Sequence, residues 1–349
     1  MKENIINKLK ELLKYITIEQ NIEEFTKIFE YIKKTTNPKL TIKEYTFNNK
    51  KTLVISNNNK LEQDIIFCTH IDIVPSNTYT YQEDQNNIYG RGTIDMKGSV
   101  AVLLELLNNI ETPSKIALFI TSDEEIDGNC TKELLNIYKS KLAIVPDGGT
   151  NFQLIKEEKG LLQLELSIKT KSAHASQPYN GENAIVKLYE VYEKLIKKYP
   201  LPKDKTDYKT SINLSSISGG TATNQVPDTA TMKLDIRYIS KDNPEHFINI
   251  IKKTNSNIKI KTILEGPVFK TDLNNKDIKK YLDICKKHIN QDIEIIGCES
   301  TSDAVYFSEK KIPTIIMNQI GNYPHCENEH VNKESLLTLY NIYKDFLIK

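Results

Sequence analysis

A histidine and an aspartate at the end of an apolar segment are the first residues whose types and spacing favour chemistry. His70 ends the segment Ile65-Ile-Phe-Cys-Thr-His70, and Asp72 follows two positions later. A metal-bound imidazole usually donates its second ring N–H to a carboxylate, and residues i and i+2 lie on one side of an extended strand. We therefore expect His70 to bind a metal and Asp72 to orient it, although a lone histidine at a strand end is more often an ordinary polar residue.

A further aspartate stands in a glycine-rich segment just before an apolar helical stretch. Asp95 follows Gly90-Arg-Gly92 and precedes Lys97-Gly98. One alternative is a tight loop with an aspartate that caps the helix. Taken together with the other motifs, we interpret Asp95 as a carboxylate that gives one oxygen to each of two metal ions.

Two adjacent glutamates and two more loop residues complete the candidates. Glu124 and Glu125 cannot point the same way on a strand, so one suits metal binding and the other suits proton transfer to and from water. The alternative is an ordinary polar loop. Asp147 is followed by Gly-Gly and could equally be a turn residue, and His325 lies in a loop with acids nearby.

Two histidines, three carboxylates and a spare glutamate match the ligands of two zinc ions that share one carboxylate. Two such ions about 3.5 to 4 Å apart lower the pKa of a bridging water and polarise a substrate carbonyl. The combined pattern therefore predicts a hydrolase.

The elements that carry these residues share one design. Continuous apolar runs of this length suit strands that are buried on both faces of a mostly parallel sheet, and ligands gather at the carboxyl ends of such strands. The four runs are 65–69, 116–121, 142–146 and 313–317.

The hydrophobic pattern changes near residue 161. Leu162, Leu164, Leu166 and Ile168 alternate with polar residues, as in a strand with one wet face. The order strand, helix, strand, strand, helix, strand then follows, which is typical of a split ferredoxin-like unit. We predict an α/β catalytic domain with a mostly parallel sheet and helices on both faces, built from residues 1–160 and 267–349, and an inserted ferredoxin-like (α+β) domain at 161–266.

The composition excludes several classes of function. Lys and Arg number 47 against 46 Asp and Glu, a net charge of +1, so no basic surplus favours nucleic acid or an anionic membrane. No stretch approaches the roughly 18 apolar residues of a membrane span, and the N-terminus does not resemble a signal peptide. Five irregularly spaced cysteines do not suggest a disulfide framework. We expect a cytoplasmic protein.

These motifs together resemble the zinc aminoacylase and carboxypeptidase superfamily, and the resemblance covers nearly the whole chain. The family includes succinyl-diaminopimelate desuccinylase, acetylornithine deacetylase, glutamate carboxypeptidases and several di- and tripeptidases. The motifs, in the family's order, are His70-Ile-Asp-Ile-Val-Pro, Gly90-Arg-Gly-Thr-Ile-Asp-Met-Lys-Gly, Asp123-Glu-Glu, Ser172-Ala-His-Ala-Ser-Gln-Pro with Gly181-Glu-Asn-Ala-Ile, and His325 with Asn328-Glu329.

The resemblance implies a role for each candidate. His70 and Asp147 would bind one zinc ion, Glu125 and His325 the other, and Asp95 would bridge the two. Glu124 would be the general base and then the general acid, and Asp72 would orient His70. Co²⁺ or Mn²⁺ could replace Zn²⁺.

Three residues of the inserted segment also match the family. His174 corresponds to the histidine that reaches the partner subunit's site and helps to stabilise an oxyanion; the alternative is an exposed loop histidine. Asn224 and Arg237 resemble residues that bind substrate, the arginine because its fork suits a carboxylate. Arg237 could instead be an outward charge on an alternating strand.

The resemblance implies a hydrolase of small N-acyl amino acids or short peptides, such as a deacylase, desuccinylase or carboxypeptidase. It also implies a homodimer, with the inserted segment 161–266 as the dimerisation domain. One departure bears on the substrate. Asp147 stands where the desuccinylases, deacetylases and glutamate carboxypeptidases usually carry a glutamate, whereas the family's peptidases that act from the amino end tend to have aspartate. A di- or tripeptidase or aminopeptidase that needs a free amino terminus is therefore the alternative, and a non-catalytic metal-binding scaffold is a third.

Overall fold

The computed structural model describes residues 1–126, 128–204 and 206–348, which form two compact units. The first comprises Met1–Lys156, Thr271–Cys298 and Ser302–Lys349, and the second comprises Glu157–Lys270 with Glu299–Thr301.

A six-stranded sheet is the centre of the first unit. Its three neighbouring pairs of strands from Ile116–Thr121 onward are parallel, and the two pairs before them are antiparallel. The predicted mostly parallel main sheet of a mixed α/β fold is therefore confirmed. The strand order is Thr41–Phe47, Lys50–Ser56, Ile116–Thr121, Glu62–His70, Lys139–Val145, Thr314–Ile316.

The sequence explains two features of this sheet. Asn48 and Asn49 join the first two strands with φ angles of 46° and 66°, and asparagine is among the residues that tolerate the left-handed conformation of a two-residue hairpin. All six residues of Ile116–Thr121 are buried, because an apolar strand in this position is covered on both faces.

Helices cover the sheet through apolar positions at helical spacing. Helix Gly98–Asn109 is buried over its first ten residues and packs against Lys2–Leu12 and Lys333–Ile348. Helix Asn129–Ile137 packs against Ala304–Glu309. The remaining helices of this unit are Ile22–Thr35 and Lys276–Ile289.

A second, small antiparallel sheet of the first unit carries His325. Its order is Gly321–Asn322, His330–Asn332, Asn87–Tyr89, Gln82–Glu83. The apolar run 313–317, whose strand is Thr314–Ile316, does not end at His325. Instead the histidine lies in the loop between the strands Gly321–Asn322 and His330–Asn332, which are too short to give a periodic signal.

The second unit has a four-stranded antiparallel sheet with two helices. Strand Gly160–Lys169 alternates buried and half-buried residues, as expected for one covered face. Asn183 and Asn243 cap the two helices with their side chains. The sheet order is Ser211–Gly219, Thr229–Tyr238, Gly160–Lys169, Lys259–Gly266, and the helices are Ala184–Lys198 and Pro244–Thr254.

Short elements complete the described chain. They are an irregular turn at Thr93–Lys97, a 3₁₀ turn at Pro178–Asn180, and the strands Leu154–Glu158, Ala173–His174, Gln225–Val226, Phe269–Lys270 and Ile295–Cys298. Across the described residues, none of the helices has the length and apolar character that a membrane span requires.

Candidate metal centre

Asp95 lies between His70 and His325, which are far apart in the sequence of the first unit. Its Oδ1 is 3.0 Å from His70 Nε2, and its Oδ2 is 3.0 Å from His325 Nε2. His70 is the last residue of a main-sheet strand, whereas Asp95 lies in the irregular turn before a helix. One carboxylate therefore directs one oxygen toward each imidazole.

The other carboxylates fall into two groups around these histidines. Asp147 Oδ2 is 4.0 Å from His70 Nε2, and Glu125 Oε1 is 3.1 Å from His325 Nε2. Ligand atoms of His70, Glu124 and Asp147 lie within 4.8 Å of one another, and so do those of His70, Asp95 and Glu125. The two adjacent glutamates therefore belong to different groups.

Burial and the interactions between neighbouring side chains shift the pKa values of the cluster. Burial, and next the Asp95 carboxylate, raise the pKa of Asp147 to about 7. Burial and the charge of Asp147 raise the pKa of Glu124 well above its usual range. Hydrogen bonding to Asp95 and to Glu125 raises the pKa of His325 to about 10. Without a metal, bound protons therefore offset the negative charge of the cluster.

A divalent cation would supply that charge instead. Imidazole nitrogens and carboxylate oxygens are the ligands that Zn²⁺ accepts in catalytic sites, and Co²⁺ and Mn²⁺ also use them. The donor set fits metal ions, and the carboxylate between two histidines fits a site for two of them.

Asp72 contacts two of the ligand-bearing segments. Its main-chain oxygen is 3.0 Å from His70 Nδ1, and its Oδ1 is 3.5 Å from the same nitrogen. Its Oδ2 accepts a hydrogen bond from Glu125 N at 2.9 Å. Asp72 therefore supports the ring of one ligand and the backbone of another.

Arg91 and Glu329 lie inside two of the family motifs, and their residue types alone predict no role for them. Arg91 Nη1 is 2.8 Å from Glu329 Oε2. Each residue stands four positions from a candidate ligand, Asp95 and His325 respectively. Opposite charges flanking two ligand motifs were the signal that could have identified this pair.

The three candidates of the inserted segment lie in the second unit. His174 is exposed, and its Nδ1 is 2.7 Å from Ser176 Oγ. Asn224 accepts a hydrogen bond from Ala175 N through its main-chain oxygen at 2.8 Å. Arg237 is half-buried and donates from Nε to Asp235 Oδ1 at 3.0 Å. The structure thus brings His174 and Asn224 to neighbouring segments, and it pairs Arg237 with an acid of its own strand.

A family model and two sequence relatives all relate this chain to hydrolases. The model of peptidase family M20/M25/M40 matches residues 66–349. The succinyl-diaminopimelate desuccinylase of Rickettsia bellii is 29% identical over an alignment of 322 positions, gaps included, that covers 82% of this chain and 81% of that protein. The [LysW]-lysine/[LysW]-ornithine hydrolase of Saccharolobus islandicus is 30% identical over an alignment of 354 positions, gaps included, that covers 98% of this chain and 94% of that protein.

A solved structure has a similar fold. The aminopeptidase PepT of Bacillus cereus superposes with a TM-score of 0.81 at 20% identity, over 99% of this chain and 98% of that one. The family match spans most of the chain, and the cluster offers the ligands that a metal-dependent enzyme needs. The chain belongs to peptidase family M20/M25/M40 and is an amidohydrolase or metallopeptidase of that family.

Proposed function

We propose that this chain is a two-zinc hydrolase that cleaves the amide bond of small N-acyl amino acids or short peptides. The observation that carries the proposal is the Asp95 carboxylate, with one oxygen 3.0 Å from each histidine. His70 and Asp147 would hold one ion, Glu125 and His325 the other, and Asp95 both.

Two bound zinc ions would supply a more acidic water and a polarised carbonyl. Glu124 is the proton carrier in our proposal, because a general base that also returns its proton works best with a pKa near the operating pH. Burial beside Asp147 raises the pKa of Glu124 in that direction. Glu124 takes a proton from the attacking water and delivers it to the departing nitrogen.

The second unit supports a further part of the proposal. We assign residues 1–160 and 267–349 to the catalytic domain and 161–266 to an inserted domain through which two subunits form a homodimer. His174 would stabilise an oxyanion, and Asn224 and Arg237 would bind the substrate. An exposed histidine and a half-buried arginine are compatible with these roles. We propose a cytoplasmic location for the enzyme.

A peptidase that requires a free amino terminus is the second candidate. Asp147 favours it, and the fold similarity to an aminopeptidase is compatible with it. The similarity to a desuccinylase, which removes a succinyl group, favours hydrolysis of an acylated amine instead. Whether the enzyme requires a free or an acylated amine therefore decides between the two substrate classes.

The test compares the same short peptides with free and with acylated amino termini, using zinc-loaded enzyme and measuring amine release. Cleavage of the acylated compounds alone supports the proposal, and a strict requirement for the free amine replaces it with the second candidate. Glu124→Gln should keep both metal ions and lose about 10²- to 10⁴-fold in turnover. Glu125→Gln is the matched control, since it should lose metal as well. Full activity of Glu124→Gln would refute the role of Glu124.

A further inference from the structure

A buried ion pair joins the two loops that carry Asp95 and His325. Arg91 is 7% exposed and Glu329 is fully buried, and their charged groups are 2.8 Å apart across 238 positions of sequence. A buried pair of this kind adds little stability over an apolar pair of the same volume. The role of the ion pair therefore has to be inferred from its contacts with the two loops.

Arg91 contacts the loop of the other ligand. From the Asp95 side it donates Nη2 to the main-chain oxygen of His325 at 3.0 Å and Nη1 to that of Cys326 at 3.4 Å. Tyr323 and His325 have φ angles of 60° and 63°, in the left-handed region that only a few per cent of residues other than glycine adopt. The guanidinium therefore holds a loop whose backbone is locally unfavourable.

Glu329 makes the reciprocal contacts. From the His325 side its Oε1 accepts hydrogen bonds from Ile94 N at 3.1 Å and Asp95 N at 3.3 Å. Its main-chain oxygen accepts a further bond from Gly90 N at 2.8 Å. Each member of the pair thus fixes the backbone beside the ligand on the opposite loop.

The two proposed metal positions depend on this pair to different extents. His325 is on a loop that Arg91 holds, whereas His70 ends a strand of the main sheet and Asp147 follows the strand Lys139–Val145. Parallel pairing joins those two strands directly. Loosening the pair should therefore displace His325 while it leaves the position of His70 and Asp147 largely intact.

We propose that the Arg91–Glu329 pair is a positioning device that holds His325 against Asp95 and so sets the affinity for the ion that His325 and Glu125 share. The proposal rests on the proposed function, since it needs a site for two metal ions. Arg91 and Glu329 act through the ligands and do not touch the substrate.

The experiment titrates Co²⁺ into metal-free protein and follows its visible absorption, with Zn²⁺ competition to measure affinities. Wild-type protein should bind two ions. Arg91→Lys keeps a positive charge but loses the planar guanidinium with its several N–H donors. Glu329→Gln keeps an acceptor oxygen but loses the negative charge. Each variant should bind the ion that His325 and Glu125 share about 10- to 100-fold less tightly, with an altered spectrum for that ion and a much smaller change in affinity for the ion at His70 and Asp147.

Glu105→Gln is the matched control. Glu105 is also almost buried and forms an ion pair with Lys8 at 3.7 Å, and it accepts a hydrogen bond from Asn4 at 3.1 Å. This variant should lose some thermal stability and bind both ions as the wild type does.

The outcomes separate the two proposals. Wild-type protein that binds fewer than two ions overturns the proposed function. Wild-type protein that binds two, with variants at Arg91 and Glu329 that lose stability but keep both affinities and spectra, overturns the positioning role alone. If one of the two variants does not fold, the other decides the question by the same measurement.

Discussion

Lys97 is a buried lysine two residues from Asp95, and we predict that Lys97→Met changes stability with a sign that depends on pH. Its ammonium donates to the main-chain oxygen of Tyr15 at 2.6 Å, and its side chain is completely buried. Burial lowers the pKa of Lys97 from 10.5 to about 7, although the carboxylates of Asp72, Glu329 and Glu24 oppose that change.

The size of the effect follows from this pKa. A difference of about 3.5 units corresponds to about 5 kcal/mol, because one unit is worth about 1.4 kcal/mol. Between pH 7 and 10.5 the unfolded chain binds the extra proton, so stability rises with pH in that window, and below pH 7 the folded state bears the whole penalty. Methionine removes this penalty but leaves the Tyr15 oxygen without its donor, which costs about 1 to 3 kcal/mol.

Lys97→Met should therefore stabilise the metal-free protein by about 2 to 4 kcal/mol at pH 6, by the difference of these two effects. The gain should shrink as the pH rises and should be lost by about pH 10. Urea unfolding followed by circular dichroism at several pH values measures it, with Lys34→Met, on an exposed helix position, as the control. A stability difference between Lys97→Met and wild type that does not vary with pH would refute the reasoning.

Three further predictions concern the centre and its supports. Asp72→Ala should weaken zinc binding about 10- to 100-fold, and Asp72→Asn should weaken it less because the amide oxygen can still accept the backbone N–H; equal affinities in a chelator competition would contradict this. Gly98→Ala places a Cβ 2.5 Å from a backbone oxygen and should cost about 1 to 3 kcal/mol, whereas Gly266→Ala meets its nearest atom at 3.6 Å and should melt like the wild type. The pKa of His325 is raised to about 10 without metal, so a metal ion must displace a proton from this imidazole. Metal binding at pH 8 should therefore release protons to an indicator dye and should become tighter as the pH rises. Metal binding without proton release would contradict this prediction.

The main sheet could be predicted from sequence because its signal is local. Apolar runs such as 116–121 are long enough to identify a buried strand, and the carboxyl-edge rule then places His70 at the site. The alternation in 160–169 identifies a half-exposed strand for the same reason. These inferences needed only residues that are adjacent in the chain.

The supports of the centre could not be predicted in this way. Arg91 and Glu329 meet across 238 positions, and no periodicity connects them. The strands beside His325 are two or three residues long, which is too short to give a pattern. The contact of His70 with the main-chain oxygen of Asp72 depends on backbone geometry, which the residue types do not specify.

The placement of His325 in the chain has a consequence for biosynthesis. A ribosome makes His70, Asp95, Glu124, Glu125 and Asp147 early, then the whole second unit, and only afterwards the strand Thr314–Ile316 and His325. Until that strand emerges, the Lys139–Val145 edge of the main sheet lacks its parallel neighbour, and an open edge favours pairing with other chains. Because His325 is one of the proposed ligands, we expect the nascent chain to be inactive, as well as prone to pairing with other chains, during most of its synthesis. The same late segment that covers the edge of the sheet would also complete the proposed metal centre, so activity would begin only when the fold is closed.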